Sequence, residues 1–320
     1  MLASLTDRII SGGRLTKDEA ARLSTLEGPD IFGLFAGANR IRSAFRADII
    51  DLCSIVNAKS GSCPEDCSYC AQSASAKADI SRYPLLPEGE ILDAARRAKE
   101  SGAKRFCIVT SGRKPGQKEL SDIASAVGAV RKAGLLPCAT LGLLDRSDLE
   151  LLRDAGLERY HHNLETSRRF FPRVCSSHTY DEKLDTISAV KETGLSLCSG
   201  GIFGLGEDWE DRIDMALEIE RLGADSVPVN FLIPIPGTGL SGRKMLAPLE
   251  ALKIVSIYRF LLPSREIRIC GGRLQCLGSL NPFVFMAGAD GLLTGDYLTK
   301  QGMPPTADLD LIARYGLRAG

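Results

Sequence analysis

The sequence predicts an α/β fold, a (βα)8 barrel of parallel strands and alternating helices, preceded by a helical segment. From about Asp51 onward, a short apolar run followed by a helical pattern recurs roughly every thirty residues, the length of one strand–helix unit with its loops. Eight apolar runs follow this rhythm, and eight such units can close into a barrel. No low-complexity linker divides the chain, so we expect a helical extension over residues 1–50 and one barrel domain over residues 51–320.

The predicted strands are apolar runs, as expected of parallel strands that are buried on both faces. In chain order they are Leu52–Ala58, Arg105–Ser111, Pro137–Leu143, Arg159–Thr166, Ser196–Gly204, Ser226–Pro234, Glu266–Gly271 and Gly291–Gly295. The rhythm of a sequence does not report closure, so a doubly wound open sheet is the alternative to a TIM-type barrel.

The predicted helices lie between these strands and carry apolar residues at spacings of three and four, which places them on one face. One such set is Leu120, Ile123, Val127 and Val130, and another is Leu184, Ile187 and Val190. A glycine just before a strand marks the ends of several helices, as expected of C-terminal caps. The first fifty residues are predicted to form helices packed across one end of the barrel.

Charge and composition argue against several classes of function. The 40 Lys and Arg residues balance 40 Asp and Glu residues without blocks of like charge, which argues against a nucleic-acid binder. One of the longer uncharged stretches, Ser226–Gly242, is interrupted by three prolines and cannot be a continuous membrane-spanning helix. Asp7 and Arg8 come too early for a signal peptide. We therefore expect a cytoplasmic protein whose 10 cysteines form no disulfide framework.

Polar residues alternate along the predicted strand Arg159–Thr166, where a barrel strand should be apolar. Period two places His161, Asn163 and Glu165 on one face, and such groups are costly in a barrel interior without partners. A buried polar network is the simpler interpretation for one residue, but three near the carboxyl end of a strand favour a ligand site. Asn230 holds a similar position in a later strand.

A cysteine-rich loop, SGSCPEDCSYCAQS, follows the first predicted strand and contains Cys63, Cys67 and Cys70. The spacing of three and two intervening residues would wrap the loop around one metal centre. Zinc is the simpler interpretation, but structural zinc sites normally have four ligands, and the loop offers three with no nearby fourth Cys or His. Three thiolates can instead hold a 4Fe–4S cluster whose fourth iron stays open, and the motif favours this interpretation.

The form Cys-x-x-x-Cys-x-aromatic-Cys is the signature of the radical S-adenosylmethionine superfamily, and the wider sequence resembles the biotin synthases. The resemblance rests on NAKSGSCPEDCSYCAQS, SLCSGGIFGLGE, VPVNFL, EIRICGGR and MAGADGLLTGDYLT, and it extends over nearly the whole chain. It implies an enzyme that cleaves S-adenosylmethionine at the 4Fe–4S cluster and inserts sulfur into dethiobiotin to form biotin. It also implies a reductant such as flavodoxin or ferredoxin, and a homodimer.

The resemblance further implies an auxiliary cluster within the barrel, of the 2Fe–2S type, held by three cysteines and an arginine. The matching residues, each in a predicted strand, are Cys107, Cys138, Cys198 and Arg268. Cysteines are often buried in any protein core. An arginine inside a barrel strand needs a negatively charged partner, and an anionic cluster would be one.

The family's S-adenosylmethionine site also matches this chain. The resemblance implies that Tyr69 lies near the adenine. It also implies that the adenine packs against the run Gly-x-Ile-x-Gly, which consists of Gly200, Ile202 and Gly204. Without the resemblance this glycine run would be weak evidence for a cofactor site, because glycines also occur in turns.

Five polar residues match further binding positions of the family. Asn163 and Glu165 match positions that hold the ribose and amino-acid ends of S-adenosylmethionine, and Lys183 is a third cofactor-binding position. His161 and Asn230 match positions near the dethiobiotin ring. Some family members have Asn at His161, Asp at Glu165 and Arg at Lys183. Glu165 keeps the charge but lengthens the side chain, and His161 changes which hydrogen bonds the ureido group of the substrate can receive.

Cys270 is a possible extra ligand of the auxiliary cluster. It lies two residues after Arg268, so period two turns both side chains to the same face. Four thiolates would suit a four-iron cluster, whereas a simply buried cysteine is the alternative. Cys276 is a weaker candidate, because no face can be assigned beyond two glycines. No role is assigned to Cys53, Cys175 or His178.

Two rival functions use the same motifs. A barrel-fold radical enzyme of the hydrogenase-maturation group is one, and the three strand cysteines with Arg268 argue against it. A cluster carrier without a substrate is the other. The polar inner face and the glycine run argue against a carrier, because a carrier needs neither.

Overall fold

The computed structural model describes residues 2–298 and 302–320, and it shows a closed parallel barrel. The first strand closes it by pairing in parallel with both the second and the ninth strand. The strands are β1 (Ile49–Lys59), β2 (Arg105–Thr110), β3 (Leu136–Thr140), β4 (Arg159–His161), β5 (Ser196–Cys198), β6 (Gly201–Phe203), β7 (Ser226–Phe231), β8 (Glu266–Ile269), β9 (Gly291–Leu293) and β10 (Arg318–Ala319). The predicted barrel is confirmed, and the open sheet is excluded. Thr299, the last residue of the C-terminal motif, lies outside the described residues.

Helices connect the strands and cover the outside of the barrel. They are α1 (Leu2–Ile10), α2 (Lys17–Ser24), α3 (Asp30–Arg46), α4 (Glu88–Glu100), α5 (Gln117–Lys132), α6 (Arg146–Asp154), α7 (Tyr180–Glu192), α8 (Trp209–Leu222), α9 (Pro248–Leu261), α10 (Arg273–Leu277) and α11 (Pro305–Arg314). The four apolar residues predicted to share one face of α5 are all buried. Within the described ranges, no helix is both long enough and apolar enough to span a bilayer.

The fifth barrel position is divided into β5 and β6, where the sequence predicts one strand over Ser196–Gly204. The neighbouring strand β7 contains Pro228, which has no N–H to donate across the ladder. Gly200 lies so close that a Cβ there would stand 2.1 Å from the Pro228 carbonyl oxygen. The Gly200 carbonyl instead accepts hydrogen bonds from the backbone N–H groups of Leu164 and Glu165, at 2.9 and 3.2 Å.

Strand β4 ends at His161, earlier than the predicted end at Thr166. Beyond it, the chain is held by backbone hydrogen bonds to the divided fifth position, such as Ile202 N–H to the Glu165 carbonyl at 2.9 Å. Glu165 has a φ of 72°, a left-handed conformation that costs a non-glycine residue about 1 kcal/mol or more. The break in the fifth strand therefore fixes the loop that carries the polar residues.

The N-terminal helices pack on one side of the barrel, where α3 contacts α9, and α2 contacts α8 and α9. Arg46, at the end of α3, pairs with Asp290 just before β9, with 2.5 Å between Nε and Oδ2. The buried guanidinium of Arg259 in α9 pairs with the same carboxylate. These contacts tie the N-terminal segment to the end of the barrel where β9 begins, away from the loops that follow the strands.

Candidate active site

A cavity of about 450 Å³ occupies the barrel interior and extends to the loops after the carboxyl ends of the strands. All seven cysteines that the sequence assigns to metal sites line it together with Arg268: Cys63, Cys67, Cys70, Cys107, Cys138, Cys198 and Cys270. They come from one loop and four separate strand positions. The fold thus gathers the predicted sulfur ligands in one enclosure.

The loop after β1 presents Cys63, Cys67 and Cys70, all half-buried. It folds back on itself, because Cys63 N–H donates to the Gln72 carbonyl at 3.1 Å and Ala74 N–H donates to the Cys63 carbonyl at 2.7 Å. Cys70 N–H donates to the Cys67 carbonyl at 2.9 Å, which closes a tight turn between these two cysteines. Backbone hydrogen bonds therefore shape the loop.

Two residues without an assigned role lie against this loop. The Cys175 sulfur is 3.7 Å from the Cys67 sulfur and 3.2 Å from His178 Nδ1. The hydrogen bond with Cys67, helped by His178, holds the pKa of Cys175 well below the ordinary thiol range. The spacing Cys-x-x-His is itself a metal-ligand pattern, and this signal in the sequence could have singled out the pair.

Deeper in the barrel, Cys53, Cys107, Cys138 and Cys270 belong to one buried cluster together with Val109 and Leu293. Cys107 and Cys138 are direct neighbours across β2 and β3. Burial raises the pKa of Cys138 to about 11 and that of Cys270 to about 12. No role is assigned to Cys53 from the sequence, although it lies in the first predicted strand and therefore meets the same criterion as the other strand cysteines.

The remaining candidates for the auxiliary site lie in different surroundings. Cys198 lines the cavity from β5, and burial raises its pKa as well. Cys276 is buried in the main hydrophobic core, where its sulfur contacts the Leu246 carbonyl at 3.6 Å. It is not among the described residues that line the cavity, so nothing supports a ligand role for it.

Arg268 is buried, and its charge is already matched by two carboxylates. Its Nη2 atom lies 2.5 Å from Asp51 Oδ1 and also contacts Glu266. Its Nη1 atom donates to the carbonyl oxygens of Asp51 and Leu292 at 3.3 and 3.1 Å. The need for an anionic partner, which made this arginine suggestive in the sequence, is therefore met within the protein.

The polar residues after β4 form a hydrogen-bonded chain along the cavity wall. His161 Nε2 lies 2.8 Å from Asn163 Oδ1, and Asn163 Nδ2 donates to Glu165 Oε2 at 3.3 Å. Lys183 Nζ, from α7, donates to the Asn163 carbonyl at 3.1 Å. Burial lowers the pKa of His161 to about 4 and raises the pKa of Glu165. The histidine is therefore neutral at pH 7.

Tyr69 and Ile202 line the cavity and pack against one small apolar cluster that includes Phe170 and Leu232. Gly200 N–H donates to Asn163 Oδ1 at 3.1 Å, which joins this wall to the polar chain. Gly204 has a φ of 96°, which favours glycine at the turn after β6. An apolar wall thus meets a polar wall beside the cysteine loop.

Glu207 and Asn230 both stabilise backbone near the cavity. Glu207 accepts hydrogen bonds from Gly204 N–H at 2.9 Å and Gly206 N–H at 3.0 Å. Asn230 Nδ2 donates to the Gly201 carbonyl at 3.1 Å, and its Oδ1 accepts from Gly271 N–H at 3.0 Å. Because an amide offers two donors and two acceptor positions, Asn230 keeps one of each for a ligand.

Two family models match the chain. Residues 59–219 match the radical SAM superfamily, and residues 228–318 match the biotin and thiamin synthesis associated domain. Among curated relatives, the biotin synthase of Pelobacter propionicus is 47% identical over 322 residues, covering 100% of this chain and 98% of that protein. The biotin synthase of Geobacter sulfurreducens is 47% identical over 316 residues, covering 98% of this chain and 96% of that protein. The chain belongs to the biotin synthase family.

Solved structures share the fold at much lower identity. Methylornithine synthase matches with a TM-score of 0.87 and 22% identity, covering 99% of this chain and 97% of that chain. The FeFe-hydrogenase maturase HydG from Carboxydothermus hydrogenoformans matches with a TM-score of 0.84 and 19% identity, covering 99% of this chain and 78% of that chain. At these identities the likeness shows the barrel alone.

Family membership confirms the function expected from the sequence. The chain is a radical S-adenosylmethionine enzyme of the sulfur-inserting type that forms biotin, so neither the maturase nor the cluster-carrier reading is retained. The superfamily implies a 4Fe–4S cluster and S-adenosylmethionine.

Proposed function

We propose that this enzyme converts dethiobiotin to biotin with two iron–sulfur clusters held at opposite depths of one cavity. Cys63, Cys67 and Cys70 would hold a 4Fe–4S cluster at the carboxyl end of the barrel, and three thiolates suit a cubane with one open iron. The main support for this proposal is that these three cysteines and the strand cysteines line the same cavity of about 450 Å³. When bound, the first cluster supplies the electron that cleaves S-adenosylmethionine, and the second supplies the sulfur.

We propose that the loop and the two walls orient S-adenosylmethionine. Tyr69 and Ile202 present apolar surface suited to an adenine ring. Both side chains pack against the same small apolar cluster, which holds them in place. Asn163 and Glu165 offer an amide and a carboxylate for the ribose and the amino-acid end, and Lys183 fixes the Asn163 backbone from α7. The enclosed wall excludes water from a reactive radical and aligns it with the substrate carbon.

His161 and Asn230 would bind the ureido ring of dethiobiotin. The His161 ring uses Nε2 for Asn163, which leaves Nδ1 as its second hydrogen-bonding atom. Its low pKa keeps the ring neutral, so it can donate or accept without placing a charge beside the substrate. Asn230 would contribute its remaining donor and acceptor.

A test of the first site replaces each loop cysteine by alanine. We expect Cys63→Ala, Cys67→Ala and Cys70→Ala to abolish formation of deoxyadenosine from S-adenosylmethionine, because each removes one of only three ligands. Cys276→Ala, in the hydrophobic core, is the matched control and should keep this activity. Normal deoxyadenosine production by any loop variant would overturn the assignment.

We propose that Cys107, Cys138, Cys198 and Cys270 bind the auxiliary cluster beside Arg268, and that it contains four irons. Cys107, Cys138 and Cys270 belong to one buried cluster, and Cys198 lines the same cavity, which supports this set. Four thiolates suit a four-iron cluster. Cys53 belongs to the same buried cluster and is an alternative ligand. Arg268 would act mainly through its charge, because its four hydrogen bonds go to Asp51, Glu266 and Leu292.

Iron counting distinguishes the two types of auxiliary cluster. After anaerobic reconstitution we expect about eight irons per chain, falling in Cys270→Ser but not in Cys276→Ser. A count of about six, with a 2Fe–2S Mössbauer spectrum that Cys270→Ser leaves unchanged, would return the site to three cysteines and Arg268.

The cellular setting is also proposed. Ten free cysteines fit a reducing compartment, so we place the enzyme in the cytoplasm, reduced by flavodoxin or ferredoxin. We further propose a homodimer. Size-exclusion chromatography with light scattering would test the dimer, and electron transfer from purified flavodoxin would test the donor.

A further inference from the structure

A second group of metal-binding atoms lies beside the cysteine loop. It consists of Cys67, Cys175 and His178, whose ligand atoms all lie within 4.8 Å of one another. Cys175 and His178 are buried, and they follow the short 3₁₀ turn Phe171–Arg173. Of the three, only Cys67 belongs to the loop set proposed for the 4Fe–4S cluster.

The separations fit a tetrahedral metal. Two sulfurs bound to zinc at about 2.3 Å lie roughly 3.8 Å apart in a regular tetrahedron. The Cys67 and Cys175 sulfurs are 3.7 Å apart. A bound sulfur and imidazole nitrogen should lie roughly 3.5 Å apart, and Cys175 Sγ is 3.2 Å from His178 Nδ1. For these two pairs a metal requires shifts of only a few tenths of an ångström, and the ligand atoms of Cys67 and His178 lie within 4.8 Å of each other.

We propose that Cys67, Cys175 and His178 form a mononuclear site for a divalent metal of the zinc class in the cluster-free protein. We infer that this metal and the 4Fe–4S cluster exclude each other, because both need Cys67. The inference that the metal and the cluster exclude each other rests on the proposed function of Cys67 as a cluster ligand. The inference of the metal site itself does not rest on that function. Both thiols bind as thiolates and release their protons to solvent, so the step needs neither oxidant nor reductant.

The surroundings keep the three ligands in place. Asp66 accepts hydrogen bonds from Ser176 N–H at 2.9 Å and Ser177 N–H at 3.0 Å, which fixes the segment with Cys175 and His178 on the loop. The carboxylates of Glu65 and Asp66 also favour a dication nearby.

Glu65 shows how the metal can enter. Its Oε2 atom lies 2.5 Å from His178 Nδ1, the nitrogen that the metal would take. After that exchange Glu65 remains held by Ser177 Oγ and by Arg113 Nη1, which lies 3.2 Å from Oε1. The carboxylate is therefore not left unpaired.

The site has a consequence for cluster assembly. Zinc binds N and S ligands more tightly than iron(II) does. Zinc held by Cys67, Cys175 and His178 would remove one of the three loop ligands and so block the 4Fe–4S cluster. Cys175 and His178 would make the cluster-free enzyme sensitive to zinc.

The first experiment titrates the full-length, cluster-free protein with cobalt(II) alone. We expect one equivalent of cobalt to bind with tetrahedral d–d bands and thiolate charge-transfer absorption, and zinc to displace it. Cys175→Ser and His178→Ala should each weaken cobalt binding at least about tenfold, whereas Cys63→Ser and Cys276→Ser should not. Tight binding lost in Cys63→Ser but kept in Cys175→Ser would overturn the site, because the metal would then sit among the loop cysteines. Circular dichroism of each variant excludes loss of the fold as the cause.

The second experiment tests the exclusion. Cluster-free protein receives one equivalent of zinc before anaerobic reconstitution with iron and sulfide, and 4Fe–4S loading is read by electron paramagnetic resonance after reduction. Zinc should prevent loading in the parent protein and not in Cys175→Ser. Full loading with zinc still bound at Cys175 would overturn the exclusion. Normal loading in Cys67→Ser would instead overturn the proposed function of Cys67 and leave the metal site standing.

Discussion

His161 should make the stability of the cluster-free protein sensitive to acid. Burial lowers its pKa in the folded state to about 4, against an ordinary value of 6.5. Between these values the unfolded chain binds a proton that the folded chain does not. The free energy of unfolding must therefore fall as the pH drops through this window.

The size of the effect follows from the shift. Lowering the pKa from 6.5 to about 4 corresponds to about 3 kcal/mol once the pH lies below both values. Between pH 7 and pH 5, the same relation gives a loss of about 1.5–2 kcal/mol. His161→Asn cannot be protonated but keeps an amide that can hydrogen-bond Asn163, so it should lose that much less stability over this interval.

Urea unfolding at pH 7 and pH 5 measures the difference, with other titrating groups cancelling between the parent and the variant. His178→Asn is the control of opposite sign. Hydrogen bonds to Cys175 and Glu65 outweigh burial and raise the pKa of His178, so its contribution is present at low pH and lost as the pH rises. That variant should lose more stability between pH 7 and pH 5. An undiminished loss in His161→Asn would refute the burial argument for His161.

Two further predictions concern packing. Gly200→Ala places a Cβ 2.1 Å from the Pro228 carbonyl oxygen and should lower the free energy of unfolding in urea by about 1–3 kcal/mol. Gly116→Ala is the control, because its Cβ meets nothing within 4 Å, and it should lower this free energy by less than half as much. Equal losses in the two variants would contradict the packing at the strand break. Arg273 Nη2 binds both carboxylate oxygens of Asp308 at 2.8 and 2.9 Å, and both side chains are fully buried. Arg273→Met should therefore lower the free energy of unfolding by about 3–5 kcal/mol, and adding Asp308→Leu should restore part of that stability. If the double variant is no more stable than Arg273→Met, the loss is not caused by the unpaired Asp308 carboxylate.

The barrel and the cysteine loop could be predicted because their signals are local. The strand–helix rhythm repeats over short distances, and Cys63, Cys67 and Cys70 lie within one loop. The partners of these residues could not be predicted in the same way. Cys175 is 108 residues from Cys67, and Arg268 is 217 residues from Asp51, so only the closed barrel brings each pair together.

The predicted strand Arg159–Thr166 is longer than the observed strand β4, yet the three polar residues that it groups together lie on one cavity wall. Alternation placed His161, Asn163 and Glu165 on one face, and all three do line the cavity. They do so although β4 ends at His161, because hydrogen bonds to the Gly200 carbonyl and a left-handed Glu165 continue the same orientation. A local sequence pattern cannot predict these hydrogen bonds, because they depend on Pro228, which lies in a strand far along the chain.

The charges at the base of the cavity bear on which side chains complete the auxiliary site. Three arginines there are matched by three carboxylates through ion pairs: Arg105, Arg159 and Arg268 with Asp51, Glu158 and Glu266. Because these charges balance without a cluster, burial dominates the nearby thiols and keeps Cys138 and Cys270 protonated near neutral pH. To hold the proposed cluster, both thiols would have to give up their protons as iron binds. Direct ligation by Arg268 would break its contact with Asp51 or Glu266, although these carboxylates would keep Arg105 and Arg159 as partners. Ligation by Cys270 breaks no ion pair. The balance of charges therefore favours a thiolate over the guanidinium as the fourth ligand.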